Sequence, residues 1–380
     1  MKAAIYAIRK NDITESQGNQ AVDTEKCQLV LGFGSKELLS DKNNFDSIRN
    51  KFPKAEIVTC STAGEIFGTE VTDDSISLMA MEFEKTTIKA VKTLISDYAN
   101  SYDAGIALIE KLPNEGLKYV FIISDGSLVN GSELVRGIDS IIKHKIPVTG
   151  GLAGDGTNFQ STLAGLNEPP KSAKIIAVGF YGDDFVVSHG SMGGWDVFGL
   201  ERTITKSVSN RLYEIDNTSA IELYKSYLGK HAESLPGSAL LFPLSVVLKD
   251  SDEPLVRTIL SIDEKDNCMV FAGDVPLGSK VRFMKANFDR IIYAATTAAE
   301  NTLNPETMTK PKAAILISCV GRKIILDKRV EEEVEAVADT LGKDVLLSGF
   351  YSYGEISPFH ANSKCELQNQ TMTITTFDEK

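Results

Sequence analysis

Apolar positions recur along this chain with two different periods. Short runs of β-branched and aromatic residues alternate with segments in which apolar residues return every three or four positions, the pattern of strands alternating with helices. Residues 27–33 predict a buried strand. Residues 35–52, with Leu38, Phe45, Ile48 and Phe52 on one rough stripe, predict a helix closed by Pro53, and residues 56–60 predict the next strand. Residues 77–83 and 88–94 alternate at period two around Glu84-Lys85-Thr86-Thr87 and predict a hairpin. A second hairpin is predicted over 175–181 and 185–190, turning at Gly182-Asp183-Asp184. Between them lie a helix over 102–112 and a strand over 119–124. A further helix, capped by Asn130 or Ser132, carries Leu134, Val135, Ile138, Ile141 and Ile142 on one face. Ile146-Pro147-Val148 then leads into a glycine-rich stretch, 149–156.

A polar, turn-rich stretch near 202–217 opens the second half. A capped helix over 218–228 is followed by strands near Val246, over 255–262 and over 269–273, and by an Ala-rich helix over 287–302. Residues 313–319 read as a buried strand, 330–341 as an amphipathic helix, and 345–349 and 371–377 as strands. In both halves a strand ends at a glycine, a helix follows, and a second strand ends in Gly-Glu-Ile: Gly34 to Gly64-Glu65-Ile66, and Gly321 to Gly354-Glu355-Ile356. This order predicts an α/β to α+β fold of mixed β-sheets flanked by helices. At 380 residues, the chain is expected to form two intimately packed domains, 1–212 and 213–380, built on pseudo-similar strand–helix–strand units.

The net charge of −12 argues against a dedicated partner among nucleic acids or anionic membranes, both of which attract Lys and Arg. No apolar run approaches the length of a membrane helix. The apolar run at the N-terminus is too short for a signal-peptide core, and Arg9-Lys10 follow it instead of preceding it, so it reads as a first strand. Five scattered cysteines, none at Cys-x-x-Cys spacing, predict the reduced thiols of a cytoplasmic protein and no zinc or other metal site.

Several groups could carry chemistry. The stretch Thr149-Gly150-Gly151-Leu152-Ala153-Gly154-Asp155-Gly156 lacks the Lys-Ser/Thr of a phosphate loop, and no helix is predicted after it. It reads as close backbone turns, or as bare backbone against which a ligand could lie. Cys60, ahead of Ser61 and Thr62, or Cys319, could be a nucleophile if one of His144, His189, His231 or His360 came alongside; a buried thiol is the plainer reading. Glu65 and Glu355 could accept backbone N–H groups in tight turns or grip a ligand ammonium, and Arg322 could pair with a ligand carboxylate. An acid and an arginine in one pocket would suit an amino acid. The segment His189 to Trp195 reads as structural or as the lining of a site for a flat ligand. Covalent c-type haem is excluded, since Cys-x-x-Cys-His is absent, while haem held by one histidine stays open.

Taken in order, these motifs resemble the FIST family, a two-part sensory module of bacterial signalling proteins. The likeness rests on Cys60-Ser61-Thr62-Ala63-Gly64-Glu65-Ile66 and Gly150-Gly151-Leu152-Ala153-Gly154-Asp155 in the first part. In the second part it rests on the segment from Thr205-Lys206 to Asn217, on Ser318-Cys319-Val320-Gly321-Arg322, on Gly349-Phe350-Tyr351-Ser352-Tyr353-Gly354-Glu355-Ile356, and on Asn369-Gln370-Thr371. The resemblance implies cytoplasmic sensing of a small ligand such as an amino acid, or of nitric oxide through haem. It also implies output through a kinase, cyclase or chemotaxis protein; the two FIST-like parts use up the chain, so that output is expected on a separate partner. The family supplies no established catalytic set, so no catalytic residue is assigned and a cysteine-dependent hydrolase is the remaining alternative. The expected ligand-binding set is Cys60, Ser61, Thr62, Gly64, Glu65, Gly150, Gly151, Gly154, Asp155, Cys319, Arg322, Phe350, Tyr351, Tyr353, Gly354 and Glu355.

Overall fold

Three segments of the chain repeat one plan, and each contributes four strands to the core. In the first, β1 (Leu29–Gly34) and β2 (Glu56–Ser61) run parallel, β3 (Glu65–Phe67) follows, and β4 (Ile76–Glu82) returns antiparallel to β1. The second has β5 (Leu117–Ser124) parallel to β6 (Val148–Leu152), then β7 (Ala164–Leu166), then β8 (Lys174–Tyr181) antiparallel to β5. The third has β9 (Ala313–Cys319) parallel to β10 (Leu346–Ser352), then β11 (Gly354–Pro358), then β12 (Met372–Glu379) antiparallel to β9. The registers agree: Gly34, Ser124 and Cys319 end the first strands opposite Ser61, Leu152 and Ser352.

The third strand of each segment leaves its own sheet. β3 pairs with β10, β11 with β6, and β7 with β2, so the exchange closes on itself through three six-stranded sheets. Their inner faces share one core: Leu31, Phe33 and Val58 from the first, Tyr119, Phe121 and Val178 from the second, Ile315, Phe350 and Phe377 from the third. Phe33 stacks on Phe350 with centroids 4.8 Å apart, a contact worth about 0.5–1.5 kcal/mol beyond burial. Helices cover the outer faces through Ile48 and Phe52, Leu134 and Ile138, and Val334 and Val337. A fourth sheet of eight strands, between the second and third segments, packs on helix Ala220–Leu228.

The computed structural model describes residues 1–9, 12–18, 21–235, 237–248, 253–304, 308, 310–360 and 363–380; Lys10, read above as basic sequence behind the first strand, lies outside them. The fold is the expected one of mixed sheets with flanking helices, but several local expectations give way. Neither hairpin forms, although all four strands exist. β4 already has β1 on one edge and Lys2–Arg9 on the other, so Thr87–Leu94 pairs with β8. Phe185–Met192 likewise pairs with β12. The turn after β4 is a crossing between sheets, held by the Glu379 carboxylate, which accepts the N–H groups of Glu84, Lys85 and Thr86 at 2.8, 2.9 and 2.6 Å. The helix expected over 35–52 breaks at Asp41, whose side chain accepts the N–H of Asn43 and caps a second helix, Lys42–Lys51. The turn-rich stretch near 202–217 is itself a pair of strands, Asp196–Val208 and Arg211–Ile215. The glycine-rich stretch is strand as far as Leu152, and a Cβ on Gly150 would lie 1.9 Å from the carbonyl oxygen of Ile122. Three of the four sheets combine strands from both sides of residue 212.

Candidate functional site

At the carboxyl ends of β2, β6 and β10 the chain turns a corner into the neighbouring sheet. Each segment has one buried carboxylate tying this region, at the corner itself in the first and third and just after β5 in the second. Glu65 accepts the Thr62 hydroxyl at 2.6 Å and both the N–H and hydroxyl of Ser75 at 3.1 and 3.2 Å. Glu355 repeats the arrangement with the Ser352 hydroxyl at 2.6 Å and the N–H and hydroxyl of Thr371 at 3.2 and 3.0 Å. Ser75 and Thr371 directly precede β4 and β12. In the second segment the residue before β8 is Ala173, and its N–H goes to Asp125 at 2.7 Å. All three carboxylates are fully buried. Burial pushes Glu65 and Glu355 up to about 7 against the opposing pull of their donors.

The two glutamates, expected to border a ligand, are thus held within the scaffold, and so is Arg322. Arg322 is fully buried on helix Val320–Leu326. Its Nε and Nη2 donate to Glu333 at 2.9 and 2.7 Å, its Nη1 to the carbonyl of Gly193 at 2.6 Å, and its Nη2 also to that of Ile291 at 2.8 Å. Glu333 also accepts the hydroxyls of Ser318 and Tyr351 at 3.0 and 2.8 Å. A buried guanidinium needs this internal neutralisation, which leaves it nothing to offer a guest. Tyr351 is thereby structural, as is Phe350 in its stack. Ser61 accepts the N–H of Leu163 at 2.8 Å. Cys60, Gly150, Gly151 and Gly354 lie buried in the strands or their ends, and Gly154 donates its N–H to the carbonyl of Ser61 at 2.9 Å.

Five of the expected residues do border open space, in two adjacent cavities. The larger, of about 640 Å³, is lined by Thr62, Gly64 and Asp155 together with Lys36, Asp73, Val320 and Lys323. Apart from Asp155, sequence reasoning missed its charged groups. Lys36 Nζ bonds the Ser161 hydroxyl and lies 3.8 Å from Asp155. Lys323 Nζ donates to the carbonyl of Ala63 at 2.9 Å and pairs with the exposed Asp73. Gly64, at φ 139°, leaves the room: a Cβ there would lie 2.6 Å from Lys323 Nζ. Arg322 and Lys323 are neighbours on one short helix, and the turn of that helix sends the first inward and the second to the cavity; amphipathic spacing across 320–326 is the signal that could have told them apart.

The smaller cavity, of about 240 Å³, has Cys319, Tyr353, Phe159, Thr258 and Asn369 on its wall. Val320 lines both. Tyr353 stacks on Phe159 with centroids 4.7 Å apart, donates its hydroxyl to Asp155, and accepts the N–H groups of Asp155 and Phe159 at 3.1 Å. Burial, with Glu65 or Glu355 nearby, raises the Cys60 and Cys319 thiols. No histidine lines either cavity among the described residues.

His144, His189 and His360 meet elsewhere, on a cavity of about 370 Å³. His144 is bonded to Asp139 and His360 to Glu253, whereas Nδ1 of His189 has no partner among the described residues. Burial lowers His189 to about 4, which keeps its imidazole neutral.

The mixed sheets leave ligand-sized space at their strand ends. The chain belongs to the FIST family: it matches the FIST N domain over residues 28–218 and the FIST C domain over 220–358, sensory domains of signal transduction. No curated protein matches the chain. Among solved structures it is similar to a cyanuric acid hydrolase from A. caulinodans, at 7% identity and a TM-score of 0.36 over 94% of this chain and 92% of that one, a likeness too slight to bear on fold or activity. No helix among the described residues is long and apolar enough to cross a membrane.

Proposed function

We propose that the chain is a cytoplasmic sensor whose larger cavity binds a small zwitterion, an amino acid or a close relative, and reports occupancy to a separate kinase, cyclase or chemotaxis protein. The observation that carries this reading is that ammonium and carboxylate groups line one 640 Å³ space together: Lys36, which lies 3.8 Å from Asp155, and Lys323, which is paired with Asp73. The two ammonium groups suit a ligand carboxylate, and Asp73, held otherwise by Lys323, suits a ligand ammonium. Lys323 belongs to the third segment and Asp73 to the first, so a guest inserted between them changes how two segments are tied. That differential contact is what a switch requires.

A thermal-shift screen of the amino acids tests the reading, because a ligand that prefers the native state raises the melting temperature. One or more amino acids should stabilise the wild type, and Lys323→Met should weaken that ligand about tenfold or more, the loss of one charge-assisted hydrogen bond. Stabilisation by none of them, or an unchanged affinity in Lys323→Met, overturns it.

A haem reading rests on His189 alone. Its neutral, unpartnered nitrogen, on a cavity of mixed polar and apolar lining, would be the axial ligand, and bound haem would supply nitric oxide binding at its iron. Reconstitution should then give a Soret band that His189→Ala removes; absence of the band ends this reading.

A further inference from the structure

The smaller cavity does not share the chemistry of the larger one. No charged side chain lines it among the described residues. Two of its lining residues are nevertheless polar and almost completely buried, and each leaves one oxygen unpartnered among the described residues. Asn369 is 0% exposed and its Oδ1 has no hydrogen-bond partner among the described residues; Thr258 is 5% exposed and its Oγ1 has none either. The Asn369 amide is oriented unambiguously, because its Nδ2 faces the carbonyl of Gln368 at 3.0 Å and a carbonyl can only accept. The oxygen is thus the group left over. Buried groups of this kind are costly to leave unmatched, and proteins match nearly all of them. The backbone beside Asn369 is unusual too, since Gln370 takes a positive φ of 60°. The segment is pinned there by Trp195, whose indole N–H donates to the Gln370 carbonyl at 3.0 Å.

We infer that this cavity is a second, independent binding site for a small, neutral, flat amide. Asn369 Oδ1 accepts an N–H from the guest. Thr258 Oγ1, able to donate, meets the guest's carbonyl. The stacked Phe159–Tyr353 pair supplies the apolar wall for a ring. A charged guest is excluded, since nothing in the lining would offset the loss of its hydration. The inference goes beyond the zwitterion reading and does not depend on it.

Benzamide is the probe, with acetophenone as the neutral isostere that lacks the N–H and benzoate as the charged one. The chain has a single tryptophan, so the indole N–H resonance of Trp195 reports on this segment without ambiguity. Titration of the full chain with benzamide should move that resonance saturably. Acetophenone and benzoate should bind about tenfold more weakly or less. Asn369→Leu and Thr258→Val should each weaken benzamide about tenfold. Thr258→Val should also melt no lower than wild type, because it removes an unmatched hydroxyl at nearly constant shape, so its loss of binding cannot be blamed on unfolding. Lys323→Met should leave benzamide binding unchanged, which separates this site from the larger one. The inference is overturned if the resonance does not respond, if acetophenone or benzoate matches benzamide, if neither variant changes the affinity, or if a crystal soaked in benzamide holds only water in the cavity.

Discussion

Val320 borders the charged cavity on one side and the apolar cavity on the other, and Tyr353, facing the second, is hydrogen-bonded to Asp155, facing the first. The two spaces are built from the same corners. Each lies where parallel strands end and the chain crosses into a neighbouring sheet, the place where open sheets commonly leave room for ligands. What differs is the few polar residues that line each space: Lys36, Asp73 and Lys323 on one side, Thr258 and Asn369 on the other. The corner carboxylates, Glu65, Asp125 and Glu355, serve the scaffold in every segment and none lines either cavity. A repeated frame thus holds constant geometry while its neighbours set the chemistry.

The strongest way to break this division is through the ion pair beneath the shared helix. Arg322→Met, leaving Glu333 buried without its counter-charge, should cost about 3–5 kcal/mol in urea unfolding and abolish probe binding at both cavities together. Arg322→Met with Glu333→Leu should recover much of that stability, because the isolated charge is gone. Equal stability of wild type and the single variant would mean that the pair does not hold the helix.

The corners themselves give a pH signature. Glu65 and Glu355, ordinarily 4.5, are raised to about 7, so the folded state binds these protons more tightly than the unfolded state. Their contribution is present below about 4.5 and is lost as pH rises through about 7, on the order of 3 kcal/mol for each. His189 acts with the opposite sign: lowered from 6.5 to about 4, it favours folding above 6.5 and that advantage fades on acidification. Urea midpoints at pH 5, 6.5 and 8 for wild type, Glu65→Gln and Glu355→Gln isolate the carboxyl part. Each variant should lose less stability than wild type between pH 5 and 8. Parallel profiles would show that the corners stay ionised throughout.

The smallest effect expected is at the shared wall. Tyr353→Phe keeps the ring beside Phe159 but leaves the N–H groups of Asp155 and Phe159 without their acceptor, at a cost of about 1–2 kcal/mol. Benzamide binding should persist while ligand affinity in the charged cavity shifts through Asp155. If instead the apolar cavity alone is affected, the two spaces are not coupled through this hydroxyl.

Much of this architecture can be read from local pattern. Strands and helices follow from the burial period, and the caps at Asn130 and Asn287 are where polar side chains precede apolar stripes. The paired Gly-Glu-Ile corners show as a repeat because their carboxylates need the same neighbours three residues upstream. The third copy escapes notice, since Asp125 does its work from the end of the first strand, β5, with no Gly-Glu-Ile to mark it. Arg322 and Lys323 look alike as adjacent cations, yet one is sealed against Glu333 and the other opens on solvent-sized space.

The sequence alone determined most of the strands and helices, that two corners are alike, and that the chain carries FIST-like sensory motifs, because period, capping and short motifs are local properties. Tertiary structure alone decided the closed exchange of strands among three sheets, the dissolution of both hairpins, and the separation of a charged from an apolar cavity. Pairing depends on which strand edges remain free once all the others have been placed. A side chain's role depends on what is packed against it from far along the chain, and neither is written in any one stretch of residues.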